Sequence, residues 1–227
     1  LGDAALLHLD PARIGIWRPA PARSWTPDAV ARGLLALQGR GSGQGSMFVA
    51  AEGGGAVIDD FLRLRAAAGV DALSAWLSGN ASGDAPVRKA VEALLGLGKG
   101  LTPAGDDYLS GALIALAEIG DARRFAVLAS VVGHMAPGRT GRVSVAHLLA
   151  ATEGMAAEPL HCIVRALLAG GEDLDAALAA LDAVGHSSGR DALAGALTVL
   201  ESVAFGSASR NCRRTSWRGR PSTGSAA

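Results

Sequence analysis

Two polar, glycine-rich segments hold most of the residues able to do chemistry: GLGKGLTPAGDD (96–107) and GHSSGRD (185–191). In the first, Gly96, Gly98 and Gly100 permit positive φ and close backbone approach. Thr102 has the type of a helix N-cap and Pro103 that of a first helical residue. Amide groups at a helix start attract anions, and Lys99 adds a positive charge. Lys99, Gly100, Thr102 and Gly105 therefore form a candidate cradle for phosphate or carboxylate. The glycine–lysine spacing is not that of a P-loop, and no strand precedes it. Asp106 and Asp107, adjacent on a helix, project about 100° apart. One is expected to hold the glycine loop, the other to face a substrate amide, a cation or a catalytic proton. A structural reading also accounts for them: acids complementing a helix dipole beside a tight turn.

In the second segment Gly185 ends one helix and Ser187 or Ser188 begins the next, with Asp191 three residues beyond Ser188 as in an acidic capping box. His186, Ser187, Ser188, Arg190 and Asp191 crowd this junction. A serine hydrolase triad is disfavoured, because adjacent Ser and His side chains do not face one another and no nucleophile elbow is present. Ligand binding by hydroxyls, helix-start amides and His186 fits better. A third cluster, Arg139, Thr140, Arg142, Ser144 and His147, precedes an apolar helix. Ser144 and His147 share a face there, although an N-cap in a solvated basic loop explains the cluster equally simply. His8, His134 and His161 have no partners at ligand spacing and read as structural or surface residues. The candidate catalytic groups are thus Asp106, Asp107 and His186. The candidate substrate contacts are Lys99, Gly100, Thr102, Gly105, Thr140, Ser144, Ser187, Ser188 and Asp191.

The elements that must position these groups read as helices. The 227 residues are 49% hydrophobic but only 4% aromatic, so the core is built from Ala, Leu and Val, which favours close-packed helices. Apolar residues recur at three and four positions, as in Leu109, Leu113, Leu116 and Ala117. Helices are expected at 28–38, 58–78, 85–95, 103–119, 122–134, 143–153, 160–169, 174–184 and 188–204. Short strands are expected at 13–18 and in a hairpin over 46–58. No repeat of fixed period is evident. The fold class is mainly α: a multi-helix domain with glycine-rich loops starting helices, after a small α+β N-terminal portion. The expected division is 1–57, 58–205 and a disordered basic tail, 206–227, with five arginines and no acid. The chain lacks an initiator Met, as expected of an incomplete or trimmed reading frame.

Twenty-one basic and 21 acidic residues leave no net field for nucleic acid or an anionic membrane. No membrane span or signal peptide is evident. Cys162 and Cys212 form neither a disulfide framework nor a metal spacing, which suits a reducing cytoplasm. No cofactor is expected, since two adjacent aspartates are too few to argue for Mg²⁺.

The segment GLGKGLTPAGDDYLSG resembles the GLGxGLTPSGDD signature of a bacterial family catalogued as of unknown function. That family includes the third subunit of the oxamate carbamoyltransferase of anaerobic allantoin degradation. RTGRVSVAHLLAATEG resembles its Thr-x-x-x-Ser helix start, and AVGHSSGRDALAGAL its GHSSG-x-D element, in the same order. The resemblance covers about residues 90–205. Lys99 stands where members often carry Pro, Ala104 where they usually carry Ser, and against the family the N-terminal portion is expected to be a shortened one.

The resemblance implies a subunit of an enzyme of purine catabolism that converts oxalurate and phosphate to oxamate and carbamoyl phosphate. It implies small anionic substrates and partner subunits in an oligomer. Helix-start amides at Thr102 and Ser187, with Lys99 or Arg190, would stabilise the oxyanion. Asp106 or Asp107 would orient or deprotonate the carbamoyl amide, and His186 would act as general acid. Two rival readings remain: a non-catalytic ligand-binding or scaffold subunit, and a related enzyme acting on another small carboxylate or phosphate. Every one of them requires the two glycine-rich segments to meet in space.

Overall fold

A computed structural model describes residues 17–20, 24–38, 40, 46–48, 57–80, 83–185 and 187–206. Among these, all regular structure is helical. The helices are α1 (Pro27–Gln38), α2 (Val57–Leu77), α3 (Ala85–Leu94), α4 (Ala104–Ile119), α5 (Ala122–Met135), α6 (Arg142–Thr152), α7 (Glu158–Leu168), α8 (Leu174–Asp182) and α9 (Ser188–Phe205). Each matches an expected helix to within two residues at either end. Pro103, expected as the first helical residue, instead stands at the N-cap of α4, and α8 ends at Asp182, two residues before the expected end. The expected strand at 13–18 and hairpin at 46–58 fall mostly outside the described residues. Trp17, Arg18 and Ser46–Phe48 are not in strands, and Val57 and Ile58 open α2. The tail beyond Gly206 also lies outside the described residues.

Local chemistry sets these boundaries. Thr26 accepts the Ala29 N–H at 3.2 Å and caps α1. Gly120 takes the left-handed conformation that ends α4, and the Asp121 carboxylate at once caps α5 through the Arg124 N–H at 3.0 Å.

Helix α4 is buried nearly all round, which makes it the central helix, and α9 is its principal partner. The two axes approach closely because each brings a glycine to the contact. A Cβ on Gly111 would lie 1.7 Å from the Ala192 carbonyl oxygen, and one on Gly195 would lie 1.8 Å from that of Tyr108. Leu109, Leu113, Leu116, Leu193 and Leu200 are buried around this seam, each worth about 1.5–3 kcal/mol of transfer free energy. Helices α5, α6 and α7 pack on other faces of α4, and α1 covers both α7 and α9.

The far end of α4 carries a buried ionic cluster. His161 Nδ1 lies 2.7 Å from Glu118 Oε1, and Arg165 binds both Glu118 oxygens at 2.9 and 2.7 Å. Burial by itself would raise the Glu118 pKa, but hydrogen bonds and charge from His161 and Arg165 outweigh it and hold the group below its ordinary value. Arg165 also donates to the Ala20 carbonyl at 2.8 Å, Trp17 stacks obliquely over His161, and Trp25 donates to the Ile119 carbonyl. The sequence placed no partner near His161; the partner comes from a helix 43 positions earlier. Among the described residues no helix is long and apolar enough to cross a membrane.

Candidate functional site

The 96–107 segment folds as a tight loop whose geometry is set from within. Gly96 sits at φ +69°, and its N–H donates to Asp106 Oδ1 at 2.8 Å. The Gly105 N–H donates to the Leu97 carbonyl at 2.8 Å. At Gly105 the backbone itself is the constraint, since a Cβ would lie 1.9 Å from the Leu94 carbonyl oxygen. Asp106 is 1% exposed and fully engaged: beyond Gly96, Oδ2 accepts the hydroxyls of Thr140 and of Ser144, the latter at 2.6 Å. Three polar positions expected to touch substrate are therefore bound to one another. Asp106 ties the glycine loop to the start of α6, and Thr140 and Ser144 are the hooks. Lys99 and Gly100 stand exposed on the loop.

The two segments meet. Thr102 Oγ1 lies 2.9 Å from Ser188 Oγ, across 86 positions of sequence. Neither hydroxyl makes the capping bond expected of it: α4 and α9 both start without a side-chain cap. The physical reason is that each residue is turned toward the other helix start rather than back onto its own.

Beside this bridge Asp107 lines a cavity of about 620 Å³, together with Thr102, Ser110, His147, Met155 and Ser188. Asp107 Oδ2 is buried and has no hydrogen-bond partner. Burial raises its pKa from 3.8 to about 7; the Ser188 and Thr102 hydroxyls pull the value back, while the charges of Asp191 and Asp106 push it further up. A buried acceptor left unmet costs about 1–3 kcal/mol, so the position calls for an explanation.

The remaining candidates separate. Asp191, 1% exposed, accepts the Ser46 hydroxyl at 2.8 Å and the Met47 N–H at 2.9 Å, and so does not close a capping box on Ser188. Its pKa is raised by burial, against hydrogen bonds from Ser46, Met47 and Ser187. Arg190 is bound bidentately by Asp182 at 2.7 Å and 2.7 Å. It is therefore committed away from the oxyanion role expected for it. His186 lies outside the described residues. His147, grouped in the sequence only with the weak third cluster, lines the cavity. Its helical spacing from Ser144 was the signal, since Ser144 is pinned to Asp106 and fixes which face of α6 turns inward. Among the described residues no group of three His, Cys, Asp or Glu could hold a metal ion.

Fold and site together define an all-helical domain in which two glycine-flanked helix starts close on a largely apolar, small-molecule-sized cavity. Residues 94–200 match the family described as oxamate carbamoyltransferase subunit AllH, and over that span the chain is similar to it. The family is described by an activity, so the label of unknown function does not hold. No curated protein and no solved structure matches the chain.

Proposed function

We propose that this chain is a subunit of an oxamate carbamoyltransferase and that the cavity at Thr102, Asp107 and Ser188 is where its small substrate binds. One observation carries the reading: the two family segments are bridged by Thr102 and Ser188 beside the half-buried Asp107 carboxyl, whose buried Oδ2 has no partner. In the oxalurate direction a phosphate oxygen attacks the carbamoyl carbon, the bond from that carbon to the oxamate nitrogen breaks, and the nitrogen takes up a proton. A carboxyl titrating near neutrality suits that proton transfer in both directions. Asp107 is the proposed proton carrier, and Thr102 and Ser188 orient the substrate. Asp106, Thr140 and Ser144 hold the loop in place. Asp191 anchors residues 46–48, and Gly105 and Ser187 act through the backbone. His147 joins His186 as a candidate acid, and Lys99 with Gly100 remains the candidate contact for phosphate at the loop tip.

The test is turnover by the complex reassembled with its partner subunits. Asp107→Asn should lower kcat by about 10²–10⁴, the usual contribution of a positioned acid–base group. Full activity of both Asp107→Asn and Ser188→Ala would make this chain a scaffold subunit. Turnover by the isolated chain on another small carboxylate or phosphate would favour the related-enzyme reading.

A further inference from the structure

The two helix starts are built on one plan. GDDYLSGAL (105–113) and GRDALAGAL (189–197) share Gly, Asp, Leu, Gly, Ala and Leu at the same offsets. Gly105 corresponds to Gly189, Asp107 to Asp191, and Gly111 to Gly195. The packing respects this correspondence. Gly111 abuts the Ala192 carbonyl while Gly195 abuts that of Tyr108, and Tyr108 and Ala192 occupy the same place in the two stretches. Contacts that exchange in this way mark a two-fold relation. The repeat escaped a search for fixed period because it has two copies separated by four helices.

Asp107 and Asp191 are therefore counterparts: the Thr102 and Ser188 hydroxyls act on Asp107 as those of Ser46 and Ser187 act on Asp191, and the difference that bears on the site lies at Asp107 Oδ2. Asp191 is filled by the chain itself, with a hydroxyl from Ser46 and a backbone amide N–H from Met47. Asp107 Oδ2 is buried, has no partner and stands at the cavity. The filled copy shows what this position accepts: neutral O–H and amide N–H donors, with no cation. Arg190 beside the site is already held by Asp182.

Resting on the carbamoyltransferase reading, we infer that Asp107 receives the N–H edge of a primary amide or ureido group of the substrate, as Asp191 receives the Met47 N–H. The cavity then selects for the amide end of a small molecule. An anionic end is left to His147, the basic residue among those lining the cavity. Asp107 thereby determines specificity: an analogue with oxygen in place of the amide nitrogen has no N–H for the ionised carboxylate to accept.

The experiment is isothermal titration of the chain, in complex with its partner subunits, with oxamate and with oxalate, which has the same skeleton and no N–H. Oxamate should bind at least about tenfold more tightly than oxalate, the effect of one hydrogen bond to a charged group. Asp107→Asn should remove that preference, with thermal melting confirming that the variant is folded. Asp107→Leu, which has no acceptor, should abolish oxamate binding. Equal binding of oxamate and oxalate, or an unchanged preference in folded Asp107→Asn, would overturn the inference while leaving the carbamoyltransferase reading standing. Failure of oxamate to bind the active complex at all would overturn both.

Discussion

The hydroxyl of Thr102 lies 2.9 Å from that of Ser188. This contact joins the start of α4 to the start of α9 at the mouth of the seam where Gly111 and Gly195 let the two helices touch. It turns two separate loops into the wall of one cavity. The consequences for stability and titration can be measured one at a time.

The bridge itself should register as a coupling energy. In a double-mutant cycle of Thr102→Val and Ser188→Ala, followed by urea denaturation, the pair should show about 0.5–1.5 kcal/mol of interaction. Strictly additive effects would mean that the two hydroxyls do not depend on one another.

Asp106 is a structural acceptor whose removal strands three donors. Asp106→Ala leaves the Gly96 N–H and the Thr140 and Ser144 hydroxyls unmet in the interior, and should cost about 3–5 kcal/mol. Ser144→Ala removes one donor and should cost about 1 kcal/mol. Denaturant midpoints with unchanged slopes measure both losses. A midpoint for Asp106→Ala equal to that of the parent would contradict the role assigned to it.

Stability should carry a signature of Asp107 against pH. Burial raises its pKa from 3.8 in the free side chain to about 7 in the folded chain. The folded state then holds more protons than the unfolded state between those values, so this group's contribution falls as pH rises through the window and levels off above about 7. Asp191, also raised, acts in the same direction, and Glu118, lowered, in the opposite one. The difference between the parent and Asp107→Asn isolates the one group. The variant should gain relative stability between pH 4 and pH 8. Parallel profiles from chemical denaturation would show that Asp107 does not titrate in this window.

The α4–α9 seam has no room for a methyl group. Gly195→Ala places a Cβ 1.8 Å from the Tyr108 carbonyl oxygen, and backbone cannot yield as a side chain would. The expected loss exceeds about 3 kcal/mol, seen as a lowered melting temperature or failure to fold. Lys99→Ala, on the exposed tip of the loop, should stay within about 0.5 kcal/mol of the parent.

Much of this molecule was legible in its sequence for a local reason. Helix positions follow from the spacing of Ala and Leu and from Gly, Pro and Asp at the junctions, and these act within a few residues. The same locality made Asp106 and Asp107 readable as a divided pair: adjacent residues on a helix cannot face the same way. It also brought out the motifs within residues 94–200, the span that matches the family.

What each polar group touches was decided only by tertiary packing. Thr102 and Ser188 have the residue types of N-caps, and local rules assign them to their own helices. The close α4–α9 approach makes each the other's partner instead. Asp191 was expected to close a box three residues back, but it accepts from Ser46 and Met47, more than 140 positions earlier. His161 found Glu118, and Arg190 was taken by Asp182. A hydrogen bond depends on distance in space, which the chain sets only once its core is formed. So the sequence by itself named the two glycine-rich segments as the candidate site and required them to meet. From them the fold left Asp107 with one oxygen, Oδ2, unpartnered at a cavity, because packing satisfied its neighbour Asp106 and its counterpart Asp191 from within the chain.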